Sequence, residues 1–479
     1  MSELLEKILN RENMNKAYKR VKANKGTSGI DEVTIEDAYV YIKENWESIR
    51  AEITERKYKP QPVKRVEIPK ANGGTRNLGI PTVMDRIIQQ AMVQVLSPIC
   101  ETFFSDYSYG FRPNRSCEQA INKLLEYIND GYEWIVDIDL EKFFDNVPQD
   151  KLMSYVHIII NDGDTESLIR KYLKAGIMIN GKYEKSEKGT PQGGNLSPLL
   201  SNIILNELDK ELESRGLHFT RYADDCVIAV KSRASANRVM YTITKWIEHK
   251  LGLKVNATKT HITRPNKLKY LSRASANRVM HTITKWIEHK LGLKVNATKT
   301  HITRPNKLKY LGFGFYYDTK DKKYCARPHA SSIQRFKRKL KQLTIRKNTM
   351  ALNERIRQLN QVIRGWINYY SICNMKTHMT RIDEHLRTRL RVIIWKQWKV
   401  PSKRQWGLQK LGIRKDRARQ TSYMGDHYQW VVTKTCVVRA ISKEKLAQKG
   451  LVSCLDYYIE RHALKLKRTA VYGTVRTVV

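Results

Sequence analysis

The chain has 479 residues, 41% of them hydrophobic and 28% charged, with nine Trp, a composition that excludes a disordered protein and suits roughly three structural units. Its 88 Lys and Arg against 47 Asp and Glu leave a formal net charge of +41, more than solubility requires, which favours nucleic acid over a membrane surface as the partner. No apolar run reaches the roughly 18 residues of a spanning helix, so no membrane partner is expected. The amino terminus, Met1-Ser2-Glu3-Leu4-Leu5-Glu6, begins an acidic amphipathic helix unlike a signal or transit peptide, and a cytoplasmic location is expected. The cysteines are scattered without a CxxC pair, which argues against a zinc site or a disulfide framework and for reduced, buried thiols.

In chain order, residues 1–231 alternate helical patterns with short strands, an α/β arrangement. Residues 64–76 (KRVEIPKANGGTR) read as two strands around an Asn-Gly-Gly turn, with cations facing a common target or simply solvated. Residues 134–140 form a strand whose alternation sets Ile135, Asp137 and Asp139 on one face and Val136, Ile138 and Leu140 on the other. In GTPQGGNLSP (189–198), Gly193 and Gly194 remove side chains where a backbone must approach something closely, and Gln192 can hydrogen-bond what approaches. Leu196, Leu199, Leu200, Ile203 and Leu208 follow at helical spacing and need no role beyond packing.

The next segment, RYADDCVIAV (221–230), sets two adjacent carboxylates, Asp224 and Asp225, against a strand whose 226–230 portion should be buried. Adjacent residues on a regular strand face opposite sides, so both reach one site only at a hairpin turn. Their repulsion calls for protonation, a basic side chain or a divalent cation, the alternative being a solvated Asp-Asp turn. With Asp139 at the end of a hydrophobic strand, the set matches an arrangement that holds two Mg²⁺ ions about 3.5–4 Å apart for in-line phosphoryl transfer.

Residues 232–271 and 272–311 are tandem copies of one 40-residue segment that differ at a single position, Tyr241 against His281. Two near-identical copies are not a solenoid, and one is expected to be redundant. Each reads as a helix (237–251 or 277–291), a Gly turn, a short strand (253–256 or 293–296) and a basic loop. The first copy adjoins the strand at 226–230, and the second adjoins Gly312-Phe313-Gly314-Phe315.

Beyond about residue 325 the pattern turns helical, and residues 331–420 hold 24 Lys and Arg against four Asp and Glu. Ile356, Leu359, Ile363, Trp366 and Tyr370 mark one buried helical stripe. Leu386, Leu390, Ile394 and Trp398 mark another, flanked by Arg387, Arg389, Arg391 and Lys396.

The order VDIDLEKFFD (136–145), KGTPQGGNLSPLLSNIILNELD (188–209) and YADD (222–225) resembles that of group II intron reverse transcriptases, also called maturases, and the resemblance spans nearly the whole chain. It implies an α/β right-hand polymerase, fingers and palm, over residues 1–325. An all-α thumb or maturase domain over 326–400 and a small basic DNA-binding-like region over 401–479 would follow. The implied catalytic residues and metal ligands are Asp139, Asp224 and Asp225, with the Leu140 carbonyl as a further ligand to Mg²⁺, and Asp137 outside the triad.

For the dNTP substrate the resemblance implies Lys70 and Arg76 on the triphosphate, Gln192 and Gly193 at the nascent pair, and Lys259 or its copy Lys299 near the departing pyrophosphate. Phe144 would be the deoxynucleotide gate, although Phe143 is a rival and either ring could be core. Arg112 and Arg115 would border the template, and Gly312, Phe313 and Gly314 would grip the primer.

The implied partners are group II intron RNA, an RNA template with a DNA primer, and target DNA. The chain has no Cys/His cluster of the kind the family's endonuclease extension carries. Two other readings are a domesticated or defence-associated reverse transcriptase and an RNA-binding maturase with an impaired polymerase.

Overall fold

A computed structural model describes residues 1–69, 75–132, 134–138, 140, 142–191, 193–255, 261–263, 309–346, 349–425 and 427–474. It divides into two units, Met1–Arg304 and Pro305–Val479.

The first unit opens with α1 (Glu3–Leu9), α2 (Arg11–Ala23) and α3 (Ile35–Thr54), which start where the sequence offers side-chain acceptors. Ser2, Asn10 and Thr34 each accept a first-turn backbone N–H, and Thr34 with Asp37 completes a capping box. The strands β1 (Val63–Pro69) and β2 (Thr75–Ile80) pair antiparallel, as the turn motif predicts. Next comes α4 (Val83–Glu101), whose Ile87, Ile88, Ala91, Met92 and Leu96 are buried. The chain continues through α5 (Cys117–Asn129), β3 (Trp134–Ile138), α6 (Phe143–Asn146), α7 (Gln149–Ile160) and α8 (Gly163–Lys174). A short hairpin, β4 (Ile177–Ile179) and β5 (Lys182–Glu184), extends the first sheet to the order β2-β1-β4-β5, with β4 parallel to β1.

Helix α9 (Ser197–Ser214) buries the predicted Leu199, Leu200, Ile203 and Leu208. It leads to β6 (His218–Tyr222), β7 (Asp225–Val230), α10 (Arg233–Trp246), a π-helical turn (Ile247–Leu251) and β8 (His261–Thr263). The second sheet, β6-β7-β3-β8, is antiparallel throughout. Helix α10 packs on β3, β7 and β8, while α5 and α9 pack on β6.

The first repeat copy therefore builds part of this unit. Its Ala236, Val239, Ile243, Ile247, Leu251, Leu253 and Val255 all join the core. The helix begins at Arg233, four residues before the expected start, because Ser232 accepts from the Ser235 N–H and caps it there. The strand expected at 253–256 reduces, over its described residues, to a single bridge between Val255 and Leu140. The corresponding helix and strand of the second copy lie outside the described residues. Deleting residues 272–311 is expected to leave stability and DNA synthesis at least equal to those of the full chain. Deleting 232–271 instead leaves nearly the same protein, with His in place of Tyr241, a side chain 47% exposed, so the two should melt within about 0.5 kcal/mol of each other. A large loss of synthesis on deletion would overturn the redundancy of one copy.

The second unit opens with a hairpin, β9 (Phe313–Asp318) and β10 (Lys323–Pro328), so the boundary expected after residue 325 falls inside this hairpin. Three long helices follow, α11 (Ala330–Leu343), α12 (Leu352–Tyr369) and α13 (Lys376–Gln397). Next are the shorter α14 (Pro401–Lys410), α15 (Lys415–Ser422), α16 (Tyr428–Val431), α17 (Thr435–Ala440) and α18 (Lys443–Gln448). The last helix, α19 (Cys454–Thr474), packs back on α12 and α13, so the described part of the carboxy-terminal region is not separate from the helices before it. Asp383 accepts from the Cys454 N–H at 2.8 Å, and the Tyr458 hydroxyl donates to the Cys373 carbonyl at 3.0 Å.

The first predicted stripe is buried at Ile356, Leu359, Ile363 and Tyr370, with Trp366 stacked on Phe336 at 4.4 Å. In the second stripe the buried apolar positions after Leu390 are Val392, Ile393 and Trp395 rather than Ile394 and Trp398. Its arginines are not a solvated flank. Arg389 donates to the Thr344 hydroxyl at 2.6 Å and carbonyl at 2.9 Å, Arg391 donates to the Ile441 carbonyl at 3.0 Å, and Arg387 pairs with Asp383. The exposed basic face lies on α11, at Arg335, Lys337, Arg338, Lys339 and Lys341. No helix among the described residues is long and apolar enough to cross a membrane.

Candidate active site

The two adjacent carboxylates sit where the hairpin argument requires. Tyr222 pairs with Asp225 at the end of the β6–β7 ladder, leaving Ala223 and Asp224 as a two-residue loop, with Ala223 at φ +57°. Below the tip, Phe219, Thr220 and residues 226–230 are buried, whereas Asp224 is half-buried and Asp225 exposed. Burial pushes the Cys226 thiol well up, so it stays neutral and leaves the tip's negative charge to the aspartates.

The loop is held from beneath by a buried arginine. Arg221 is 0% exposed and forks onto Asp209 of α9, Nε to Oδ1 at 2.7 Å and Nη2 to Oδ2 at 2.5 Å. Its Nη1 donates to the Ala223 carbonyl at 2.9 Å and to Asn202 Oδ1 at 3.0 Å. Asn202 in turn donates from Nδ2 to the Gly110 carbonyl at 2.9 Å. Residues 107–110 run beside β6: the Arg221 N–H donates to Tyr107 O at 2.9 Å, and the Tyr109 N–H to Arg221 O at 2.8 Å. A Cβ at Gly110 would overlap the Ala223 nitrogen, so only glycine lets this segment lie against the loop. A buried ion pair is tolerable only when its hydrogen bonds are this complete.

Strand β3 flanks β7, with Asp137 opposite Val227 and Ile138 opposite Cys226 as the last pair. In sequence, the residues one step beyond that pair are Asp139 and Asp225; Asp139 lies outside the described residues. Leu140 is buried and bridges Val255. No group of three His, Cys, Asp or Glu converges among the described residues. The donors at the tip are nonetheless of the hard carboxylate kind that Mg²⁺ takes, and they face solvent from which the ion would enter.

Two sequence motifs meet at Phe144. Phe143 is buried in the core, while Phe144 is half-buried and stands edge-on to it at 5.3 Å, which leaves Phe144 as the accessible ring. The Thr190 N–H donates to the Phe144 carbonyl and the Gly189 N–H to the Val147 carbonyl, each at 2.7 Å. Gly189, at φ +89°, has no room for a Cβ against the carbonyls of Phe144 and Asp145. The close approach expected at Gly193 and Gly194 is made within the chain. A Cβ on Gly193 would overlap the Gly79 carbonyl of β2, and one on Gly194 would lie 3.0 Å from Gln89 Oε1 of α4.

Arg112 departs from its expected role beside a template. Its side chain is buried and forks onto Glu101, with further bonds to the carbonyls of Ser105 and Ser108, because a guanidinium can saturate several carbonyl and carboxylate oxygens at once. Arg115 is partly exposed and pairs with Asp106 at 2.6 Å. Arg76 pairs with Ile68 in the β1–β2 ladder. Lys70, Gln192, Lys259 and Lys299 lie outside the described residues.

The primer-grip candidates belong to the second unit. Phe313 is 0% exposed and packs on Tyr369 and Tyr370, with ring centroids 5.5 and 4.8 Å away, so its side chain is core rather than a surface contact. Gly312, at φ +80°, has Tyr370 Oη 2.6 Å from where a Cβ would stand, and Gly314 pairs with Arg327.

The family described as reverse transcriptase (RNA-dependent DNA polymerase) matches residues 68–274, and the group II intron maturase-specific domain matches residues 333–412. Protein YkfC of Escherichia coli (strain K12) is 34% identical over 306 residues, 56% of this chain and 80% of that protein. The group II intron-encoded protein LtrA of Lactococcus lactis subsp. cremoris is 37% identical over 238 residues, 49% of this chain and 38% of that protein. A 91 kDa protein in a cob intron of Schizosaccharomyces pombe is 30% identical over 318 residues, 53% of this chain and 39% of that protein. The chain thus spans most of YkfC but under two fifths of the other two. A polymerase match that takes in the Asp-Asp hairpin, followed in the same chain by a maturase-specific match over α11–α14, makes this chain a member of the group II intron reverse transcriptase and maturase family.

Proposed function

We propose that the chain copies RNA into DNA at the tip of the β6–β7 hairpin and binds group II intron RNA to assist its splicing and mobility. The observation that carries the first part is the turn itself, which brings Asp224 and Asp225 to one end of a buried strand pair over a saturated Arg221–Asp209 support. In this reading the β6-β7-β3-β8 sheet is the palm, the β1–β2 hairpin belongs to the fingers, and the helical unit is the thumb and maturase part of a right-hand polymerase.

Asp139, Asp224 and Asp225, with the Leu140 carbonyl, would hold two Mg²⁺. The ions supply activation of a primer 3′-hydroxyl and neutralisation of the departing pyrophosphate. The chain's own residues do the rest. Phe144, fixed by its carbonyl bond to Thr190, screens the sugar of the incoming dNTP. Lys70 and Arg76 hold the triphosphate from the fingers side, and Gln192 meets the nascent pair. Lys259, in the repeat copy that packs on the sheet, is the better candidate than Lys299 for the pyrophosphate. RNA template with DNA primer, and target DNA, complete the partners.

The maturase-specific match at 333–412 and the exposed basic face of α11 support an intron RNA partner over a defence role. Phosphate contacts by that face would make affinity strongly salt-dependent, with specificity coming from RNA shape. Primer extension on an RNA template with dNTPs and Mg²⁺ tests the reading: the full chain is expected to make DNA. Intron splicing without any DNA synthesis would instead mark an RNA-binding maturase with an impaired polymerase.

A further inference from the structure

The second unit carries an open cleft of about 560 Å³ bounded by α12, α13, α18 and α19. Leu446, Ala447 and Leu451 give it an apolar side, and the remaining lining is largely charged.

Most of those charges are already engaged. Asp383 accepts from the Cys454 N–H at 2.8 Å and from Ser453 Oγ at 3.1 Å, and pairs with Arg387. Lys443 closes on Asp456 at 2.6 Å. Caps from Asp383 and Ser453 occupy the first turn of α19, so the helix end offers no anion site of its own.

Two cations remain, Arg364 of α12 and Arg461 of α19, neither within ion-pair distance of a carboxylate among the described residues; with Asp383 and Asp456 paired to Arg387 and Lys443, Glu460 is the remaining carboxylate of the lining. Arg461 is held in place, its guanidinium 5.1 Å from the centroid of the Tyr457 ring, while the Tyr457 hydroxyl is fixed by Asn368 at 3.0 Å. Its Nε is buried and has no hydrogen-bond partner among the described residues.

Guanidinium forks match the oxygens of a phosphate, and the cavity's volume is that of a site for a molecule of nucleotide size. An apolar wall and an aromatic ring suit the ribose and base that a phosphate would bring with it. We propose that this cavity binds a nucleoside phosphate through Arg364 and Arg461. The ligand is either a free nucleotide or one nucleotide of an RNA strand, and every residue of the site belongs to the second unit.

The test titrates the full chain with adenosine 5′-monophosphate and, separately, with a short 5′-phosphorylated RNA. EDTA is present so that metal-dependent binding at the hairpin does not contribute. Arg364→Gln combined with Arg461→Gln is expected to weaken binding at least tenfold. Glu460→Gln is expected to tighten it several-fold, a gain that a misfolded variant does not produce. Loss in both titrations identifies a free nucleotide as sufficient, and loss with the RNA alone identifies a strand nucleotide. Binding that is unchanged in the double variant, or no binding to the parent chain, overturns the proposal. Failure of primer extension in the parent chain bears on the polymerase reading and leaves these titrations interpretable.

Discussion

Asp224→Asn is expected to lower the rate of DNA synthesis about a thousandfold, the roughly 4 kcal/mol that loss of a metal-ligating charge removes from transition-state stabilisation. The melting temperature should hold or rise slightly. Asp224 is half-buried beside exposed Asp225, and removing one of two neighbouring negative charges relieves repulsion without opening a cavity. Asp137→Asn is the control. Asp137 lies opposite Val227 on the adjacent strand, two pairs below the tip, and its amide variant should retain synthesis within about threefold. Primer extension with Mg²⁺ varied over a wide range separates the outcomes, because a weakened metal site is partly restored at high Mg²⁺ and a misfolded one is not. Equal losses in both variants would mean that Asp137 belongs to the centre and that the assignment of Asp139 is wrong.

The hairpin was legible in the sequence because its logic is local: adjacent like charges beside an apolar strand share one site only at a turn. The β1–β2 pair was legible for the same reason, its Asn-Gly-Gly turn lying between alternating residues. What supports the centre was harder to see. Asp209 reads as one more polar residue after SNIILNEL, yet it falls one position after Leu208 and three before Leu212 on a helix whose inner face is apolar. Arg221 likewise interrupts a buried strand. A lone acid on one buried face and a lone base on another were the available signal, and no local pattern says that they meet.

Arginine is ambiguous from sequence for a related reason. Arg112, Arg389 and Arg391 have the same chemistry whether they contact a phosphate or a carbonyl of their own chain, and here the carbonyls win. The glycines at 193 and 194 correctly signalled close approach, but the partner that approaches is set by tertiary packing. Composition placed the start of the helical part at about residue 325, just ahead of the basic surface. The second unit starts earlier because Phe313 of the hairpin belongs to its core, and charge marks the surface of a unit rather than its interior. The repeat offered two equivalent segments, and chain connectivity separates them. The first follows β7 after one intervening residue, whereas docking the second would require closing a loop of some forty residues at the same place, a cost of about 3 kcal/mol.

Asp209→Ala is expected to destabilise the first unit by about 3–5 kcal/mol, since it strands the guanidinium of Arg221 in the core with neither carboxylate oxygen. Asp209→Asn keeps one acceptor and should lose less. Replacing both residues with leucine should recover part of the stability, because no buried charge is then left unpaired. Activity should not recover with it. Arg221 also holds the Ala223 carbonyl and, through Asn202, the Gly110 segment, so the leucine pair restores burial without restoring the turn. Two units make a single two-state unfolding curve unsafe, so hydrogen exchange of the β6 and β7 amides is the appropriate measure, alongside primer extension. A stable leucine pair with full synthesis would show that the hairpin needs only a filled core. A stable pair without synthesis would show that the arginine sets the angle at which the two aspartates are presented.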